Sequence, residues 1–499
     1  MDPVAYLNSL GQFKILPGLE RMEHVLLNFG EPHLEYPSVH IGGTNGKGST
    51  AAILGSILEK FGLSSGIYTS PHLMRLTERI RFDGEEVSLS ELSSMIELIR
   101  INIEKNGPPQ GLTYFELLTC AYFLLCRSHG PDVSIVEVGM GGRWDATNTI
   151  EPHAVCITSI SFDHMKHLGG DLTSIAREKA GIIKTSTPVV IGPLRNDALE
   201  SMRPLKVILE TCTMNGCPVI ALCLPENERE TMRAVRSMGL IDHRVISIRT
   251  HPVDQGTMFD LKIVDRCDSG TDPCFDLIDI YIPGEHICGI SGEYQAGNAA
   301  CATALSLLVL PATLARRRLD GGDMSASDRI LTTFPEELTD GHSKEEITKK
   351  LASGLEIASI PGRMEIRKNN GRILVIDGAH NPEASVQLLG SVRSMYPDKR
   401  IHLLLSMMED KDVSNFCTDL ISDLESATLL ELPMDRSMEL NRLVEGVAHH
   451  NVNSIDVFTF REPGSAIRHW ISELGSDEDI GLACGSFYLY GYIDSELGP

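Results

Sequence analysis

No two of the twelve cysteines in this chain form a Cys-x-x-Cys pair. They fall singly, several of them inside apolar runs (Cys120, Cys126, Cys156, Cys301), where a reduced cysteine acts as a small hydrophobe. A disulfide scaffold is therefore not expected at this length, nor is a zinc site. Basic residues are also short: 44 Lys and Arg stand against 68 Asp and Glu, a formal charge of −24. Nucleic acid demands a basic face, so it is not an expected partner. Apolar runs such as Ala302 to Leu310 are too short to span a bilayer. Met1 to Gly18 has no basic segment followed by an apolar core, so no signal peptide is expected. These absences point to a cytoplasmic chain with no membrane partner. Any anionic substrate would need local cations or metals to offset the global field.

What is present is ordinary for a globular protein: 42% hydrophobic, 22% charged and 5% aromatic residues. At 499 residues the length implies about two to three domains. Short strand-like runs at Ser38 to Ile41, Gly66 to Thr69, Val133 to Val138, Val155 to Ile160 and Pro188 to Ile191 alternate with helical periodicity. Ile53, Leu54, Ile57, Leu58 and Phe61 mark one helical face, and Thr173 is the expected cap of a helix running through Ala176 and Ala180. Such alternation means a parallel sheet covered by helices. A second set of strands, from Arg372 to Ile376 through Ile480 to Cys484, repeats the rhythm and predicts a second doubly wound domain. The expected division is residues 1–358 and 359–499, with Pro361-Gly362 as linker and a surface insertion at about 312–342. Residues 195–280 show weak patterning and no chemistry can be placed there.

The strongest local signal is His40-Ile-Gly-Gly-Thr-Asn-Gly-Lys-Gly-Ser-Thr50, which leaves a strand and opens a helix. Its glycines (Gly43, Gly46, Gly48) let backbone N–H groups approach phosphates, Lys47 reaches the terminal ones, and a hydroxyl (Thr44, Ser49 or Thr50) can serve a magnesium ion. Three residues, not four, separate Gly42 from Gly46, and Gly48 intervenes before Ser49, so the spacing departs from the standard phosphate loop. Glu137 ends an apolar strand, where a carboxylate is costly unless it meets a cation or donors. Ser70, Glu137 and His164 each fall at the C-terminal end of an expected strand, the edge where open α/β sheets place ligands. Oxygen plus imidazole suits Mg²⁺ or Mn²⁺ better than zinc. Asp377 and His380 lie in a loop leaving a strand, suited to ribose or phosphate.

The segment Gly43-Thr-Asn-Gly-Lys-Gly-Ser-Thr50, including Asn45, resembles the ATP loop of the folylpolyglutamate synthase and dihydrofolate synthase family, relatives of the Mur ligases. The likeness continues through Tyr68 to Leu73, Thr113-Tyr-Phe-Glu116, Glu137 to Asn148, Asp163-His164 and Arg177-Glu-Lys-Ala-Gly181. It resumes at Gln295 to Ala300, Pro361-Gly-Arg363, Asp377 to Pro382, Asp410-Lys-Asp412 and Cys484-Gly-Ser-Phe487. The resemblance implies an N-terminal P-loop ATPase-type domain and a smaller C-terminal Rossmann-like domain. It implies ATP and two magnesium sites, and leaves room for a monovalent cation. Ser70, Glu137 and His164 would hold the magnesium that bridges the ATP phosphates. Lys179 would be carbamylated and become a ligand for a second metal. Asn298 would sit on the adenine side, and Arg363 would contact phosphate with its always-charged fork. Phe115, Asp145 and Ala146 resemble the lining of the pterin pocket. The family often has histidine before Gln295, where this chain has Tyr294.

The implied reaction is ATP-dependent addition of L-glutamate to a folate-type carboxylate through an acyl phosphate, with Lys47, Lys179, His164 and Arg363 carrying catalysis. The acceptor is left open among dihydropteroate, tetrahydrofolate and polyglutamylated folates, and a monomer is expected by family analogy. One alternative is a ligase that glutamylates another pterin cofactor. Another is a Mur-type peptidoglycan ligase, but only about 40 residues precede the loop, too few for the extra domain those enzymes carry. A phosphate-loop regulatory protein without ligase activity would leave Glu137, Arg363, Asp377 and His380 without a purpose.

Overall fold

The computed structural model describes residues 2–498 except 12, 13, 15, 109, 110, 164, 166–168, 195–201, 241, 252, 254, 255, 268–273, 283, 319–342 and 451–454. Most of the expected 312–342 insertion therefore lies outside the described residues.

The first sheet contains, in chain order, β1 (Ser38–Gly42), β2 (Ser65–Tyr68), β3 (Ile80–Phe82), β4 (Glu85–Glu86), β5 (Val133–Glu137), β6 (Ala154–Ile157), β7 (Val189–Ile191), β8 (Val219–Cys223), β9 (His243–His251), β10 (Thr257–Cys267) and β11 (Gly284–Cys288). Their spatial order is β11-β10-β9-β8-β7-β6-β1-β5-β2-β3-β4. From β2 through β9 every neighbouring pair is parallel. The central strands are buried along their whole length, as a sheet covered on both faces requires. Both margins turn antiparallel, at β3–β4 and at β10–β11. The second margin accounts for part of the weakly patterned 195–280 region. In β10 buried positions alternate with half-buried ones from Thr257 to Leu261, so its apolar signal is diluted by half.

Among the helices that cover one face are Lys47–Lys60, Gln295–Arg318 and Lys344–Glu356. Their apolar residues, among them Ile53, Leu54, Ile57, Leu305 and Leu351, form one core with the sheet. The helix Tyr114–His129 packs on the opposite face. Thr113 and Glu116 close a capping box at its start, and Gly130 ends it in the left-handed conformation. The helix Leu172–Ala180 is capped by Asp171, which accepts from Ser174 N, and not by the expected Thr173. Thr173 lies inside the first turn.

The second sheet holds β12 (Glu365–Asn369), β13 (Arg372–Ile376), β14 (Arg400–Leu405), β15 (Leu424–Leu430), β16 (Asp456–Phe460) and β17 (Asp479–Cys484). Their order is β12-β13-β17-β14-β15-β16, all parallel except β12. Helices cover both faces, with Trp470 fully buried on one and donating its indole N–H to His402 O at 2.8 Å. The architecture is two α/β units, the first sheet larger than the second.

Register decides what meets at the sheet edges. Ile41 is level with Glu137, and Gly42 with Ile157. In the second sheet Ile376 is level with Ala483, and Leu405 with Cys484. The helix Lys47–Lys60 is fixed from behind by the helix Lys344–Glu356, at Gly354. A Cβ there would lie 2.5 Å from Ile57 Cα, which is backbone and cannot yield. Gly354→Ala should therefore destabilise the protein by about 1–3 kcal/mol. The denaturation midpoint should fall at unchanged m-value; an unshifted midpoint would show that the two helices are not in this contact.

Candidate active site at the facing sheet edges

The loop after β1 turns where only glycine fits. Gly43 has φ +141° and Gly46 φ +88°. A Cβ on Gly43 would fall 1.9 Å from Thr158 Oγ1, and one on Gly46 would fall 2.1 Å from Asn298 Oδ1. The loop is also tied to the segment after β6. Thr44 N donates to Ser159 O (2.9 Å), Asn45 N to Ser159 Oγ (2.8 Å), and Thr158 Oγ1 to Asn45 O (2.6 Å). Lys47 then opens the helix, whose free N–H groups and dipole favour an anion. Ser49 and Thr50 are buried in its first turn, and the Thr50 hydroxyl has no hydrogen-bond partner among the described residues.

Two lysines converge on one carbonyl. Gly43 O accepts from Lys47 Nζ at 3.1 Å and from Lys179 Nζ at 2.7 Å. Burial lowers the Lys47 pKa, opposed by the negative charge of Glu137. Lys179, held from the helix Leu172–Ala180, is pushed down to about 7, first by burial and then by the Lys47 charge. Glu137 is buried at the end of β5 and accepts from Ser70 N at 3.0 Å. Its pKa is raised by desolvation, which Lys47 partly offsets. It packs against Gly48 at the helix start, where a Cβ would lie 3.5 Å from Glu137 Oε2. A buried carboxylate beside a helix N-terminus, with Ser70 adjoining, is a donor set that fits a hard divalent cation. The third expected ligand, His164, lies outside the described residues. Among those described, no cluster of three or more His, Cys, Asp or Glu side chains converges.

An open cleft runs between the two sheet edges. It gathers Asn45, Gly46 and Ser49 with Asn298, Arg363, Asp377 and His380, seven of the residues expected to hold nucleotide. Arg363 reaches it from the linker with its guanidinium 4.1 Å from the Phe487 ring centroid. Asp377 is buried and already engaged: Oδ2 accepts from Tyr294 Oη (2.7 Å) and Met364 N (2.8 Å), and Oδ1 from Ala379 N (2.7 Å). Tyr294 thus ties the first domain to the loop after β13. His380 binds its own turn through Gly378 O at 2.8 Å and approaches Asp163 at 3.5 Å.

Of the three expected pterin residues, Phe115 is half-buried against Gly139, whose Cβ would meet its ring at 2.5 Å. Asp145 spends its carboxylate inside its own loop, on Met140 N (2.9 Å), Thr147 N (3.0 Å) and Thr147 Oγ1 (2.5 Å). Ala146 is buried in the core around Tyr114. Asp145 and Ala146 therefore shape the loop from beneath.

Sequence reasoning missed the far wall of the cleft: Thr158, Pro193, Leu224, Ile248 and Thr250. Thr158, Pro193 and Leu224 follow β6, β7 and β8, and Ile248 and Thr250 lie near the end of β9. Successive parallel strands set their C-terminal ends about 4.8 Å apart, so these residues continue the edge that begins at the glycine loop. The strand-end rule applied to the expected strands at Val155 to Ile160 and Pro188 to Ile191 would have found Thr158 and Pro193. It would have found Leu224, Ile248 and Thr250 had the weak 195–280 pattern been resolved into strands.

A glycine loop at a helix N-terminus, two buried lysines, a buried carboxylate and a cleft closed by a second α/β unit define a two-domain nucleotide-binding protein. The Mur ligase middle domain matches residues 41–206, and the Mur ligase, glutamate ligase domain matches residues 362–487. The dihydrofolate synthase/folylpolyglutamate synthase of Bacillus subtilis is 28% identical over 99% of this chain and 98% of its own. Folylpolyglutamate synthase of Mycobacterium tuberculosis complexed with ADP and AMPPCP superposes with a TM-score of 0.75 at 25% identity, covering 100% of this chain and 99% of that one. The Yersinia pestis bifunctional folylpolyglutamate synthase/dihydrofolate synthase complexed with AMPPNP and Mn ion gives 0.70 at 25%, covering 99% and 97%. The chain belongs to the folylpolyglutamate synthase and dihydrofolate synthase family of Mur ligases.

The Lys179 environment carries a pH signature. Its folded pKa of about 7 lies below the ordinary lysine value of 10.5, so protonation opposes folding. The penalty is absent above the unfolded pKa, grows as pH falls, and is complete below the folded one. Lys179→Met removes it, so the gain in stability over wild type should be larger at about pH 6 than at about pH 9. Equal gains in denaturation midpoint at both would contradict the depressed pKa.

Proposed function

We propose that this chain is an ATP-dependent ligase that adds L-glutamate to a folate-type carboxylate through an acyl phosphate, releasing ADP and phosphate. The observation that carries the reading is the cleft, where the glycine loop, Asn298, Arg363, Asp377 and His380 face one another. The similarity to folate ligases over nearly the full length of both chains supports it.

A carboxylate does not condense with an amine in water, because hydroxide is a poor leaving group. Transfer of the γ-phosphoryl group from ATP to the acid gives a leaving group that the glutamate amine displaces. Catalysis then consists of placing reactants and offsetting charge on the transferring phosphoryl. The glycine loop supplies backbone N–H groups, Lys47 a buried cation, and Arg363 a second one from the linker. Ser70, Glu137 and His164 would hold a divalent cation, which when bound supplies further positive charge to the phosphates. Asn298 lies at the cleft against Gly46 and would face the base. Phe115 offers the flat apolar surface a pterin needs, over the loop that Asp145 and Ala146 shape. The same reading divides the chain at about residue 358, with ATP and acceptor on the first domain. It also makes the protein a cytoplasmic monomer; among the described residues no helix is long and apolar enough to cross a membrane.

The proposal extends to carbamylation of Lys179. With a pKa of about 7, a sizeable share of its amine is neutral at physiological pH, the form that adds CO₂. The carbamate exchanges a cation for an anionic oxygen ligand. Lys179→Ala should be nearly inactive and should recover with acetate, which can occupy the vacated volume. Retained activity without rescue would sink this part alone.

For the ligase itself, purified protein should be offered dihydropteroate, tetrahydrofolate or a polyglutamylated folate with ATP and glutamate. Product should gain one glutamyl unit by mass. Lys47→Ala should abolish product at saturating ATP while the melting curve stays cooperative. Near-normal turnover of that variant would refute the nucleotide assignment. Product from a cell-wall precursor alone would favour the Mur-type alternative.

A further inference from the structure

The Asp410-Lys-Asp412 segment has no role in the reaction described so far, yet its centre crosses between the domains. Lys411 Nζ lies 2.6 Å from Asp163 Oδ1, and the two side chains are only 10% and 11% exposed. The other carboxylate oxygen of Asp163 is approached by His380 Nε2 at 3.5 Å. Both contacts come from the second domain and both fall on a loop of the first.

The three residues of the segment divide the work. Asp410 pairs with Arg436 at 2.8 Å, and Asp412 caps the helix Val413–Cys417 through Asn415 N at 3.1 Å. Lys411 N is held by Met408 O at 3.0 Å. The flanking aspartates thus build the loop within the second domain and leave the lysine side chain to reach across. Lys411 also approaches Asp410 at 3.9 Å, a weaker contact than the one across the cleft.

Asp163 is well placed to transmit that contact. Its loop is bonded to the glycine loop at Thr44 and Asn45: Thr44 Oγ1 donates to Ser161 O at 3.2 Å and accepts from Ser161 N at 3.1 Å. Asn45 is itself gripped from the second domain by Asn381, whose Nδ2 donates to Asn45 Oδ1 at 2.9 Å. Charge matters as well as position. A carboxylate beside a phosphate loop repels a polyphosphate unless a cation neutralises it, and the chain as a whole carries −24.

We infer that Lys411 is a positioning residue that couples closure of the second domain to the phosphate loop. By neutralising Asp163 it fixes the Ser159–Asp163 segment, and through it Thr44 and Asn45, in the arrangement needed for phosphoryl transfer. Lys411 does not line the nucleotide cleft, so its effect falls on turnover and not on nucleotide binding. This rests on the ligase reading above.

The test uses the full-length chain as Lys411→Ala, Lys411→Arg and the double variant Asp163→Asn/Lys411→Ala. Melting curves verify that each is folded. Affinity for a non-hydrolysable ATP analogue is measured by calorimetry, turnover by product mass, and compaction with the analogue bound by small-angle scattering. Lys411→Ala should lower kcat at least about tenfold, with analogue affinity within about threefold of wild type and a more open envelope. Lys411→Arg should recover most of the turnover. The double variant should be no worse than Lys411→Ala, because an uncharged amide in place of the Asp163 carboxylate needs no cation. Wild-type kcat in Lys411→Ala, or an equal loss in analogue affinity, would overturn the inference. So would independent, multiplicative losses in the double variant. If wild-type protein itself forms no glutamylated product, the ligase reading fails, whereas an unaffected Lys411→Ala beside an active wild type removes only the role of Lys411.

Discussion

The parallel register of β1 between β5 and β6 is the constraint on which the rest depends. It places Ile41 level with Glu137 and Gly42 level with Ile157. The glycine loop, the Glu137 carboxylate and the Thr158–Asp163 loop must therefore leave the sheet side by side at one edge. A slip of one residue would turn Glu137 to the opposite face and carry the metal-type ligand away from the helix N-terminus. A sheet buried on both faces tolerates no such slip, because each apolar strand is matched to helices above and below.

That edge solves an electrostatic problem for an acidic protein. With 68 acidic against 44 basic residues, an anionic substrate meets an unfavourable field at long range. Locally the balance is reversed. Lys47 lies against Gly43 O, Arg363 stands over Phe487, and Lys411 covers Asp163. Burial strengthens the Lys47 charge toward a phosphate, since fewer water dipoles screen it. The same burial lowers the Lys47 pKa, so the cation that serves the site is costly to keep charged, and it lowers that of Lys179 to about 7.

The first domain builds this edge, and the second domain completes it. Tyr294 reaches Asp377, Asn381 reaches Asn45, and Lys411 reaches Asp163, so polar contacts join the two sheet edges. Polar contacts of this kind can be exchanged for water and for substrate.

Sequence alone determined the parts governed by local chemistry. The glycine loop, the central parallel strands, the helix after Gly46 and most of the second domain were legible, because covered strands are continuous apolar runs and loops of this kind need glycine. Two α/β domains followed from that rhythm. The antiparallel strand β10 was not legible, since its burial alternates from Thr257 to Leu261 and dilutes the pattern. Nor was the occupation of Asp377 by Tyr294, the inward turn of Asp145, or the reach of Lys411 to a residue 248 positions away. A side chain's partner across the cleft is fixed by strand order and by the way two sheets face each other. Those are global properties of the packed chain, and no window of sequence contains them.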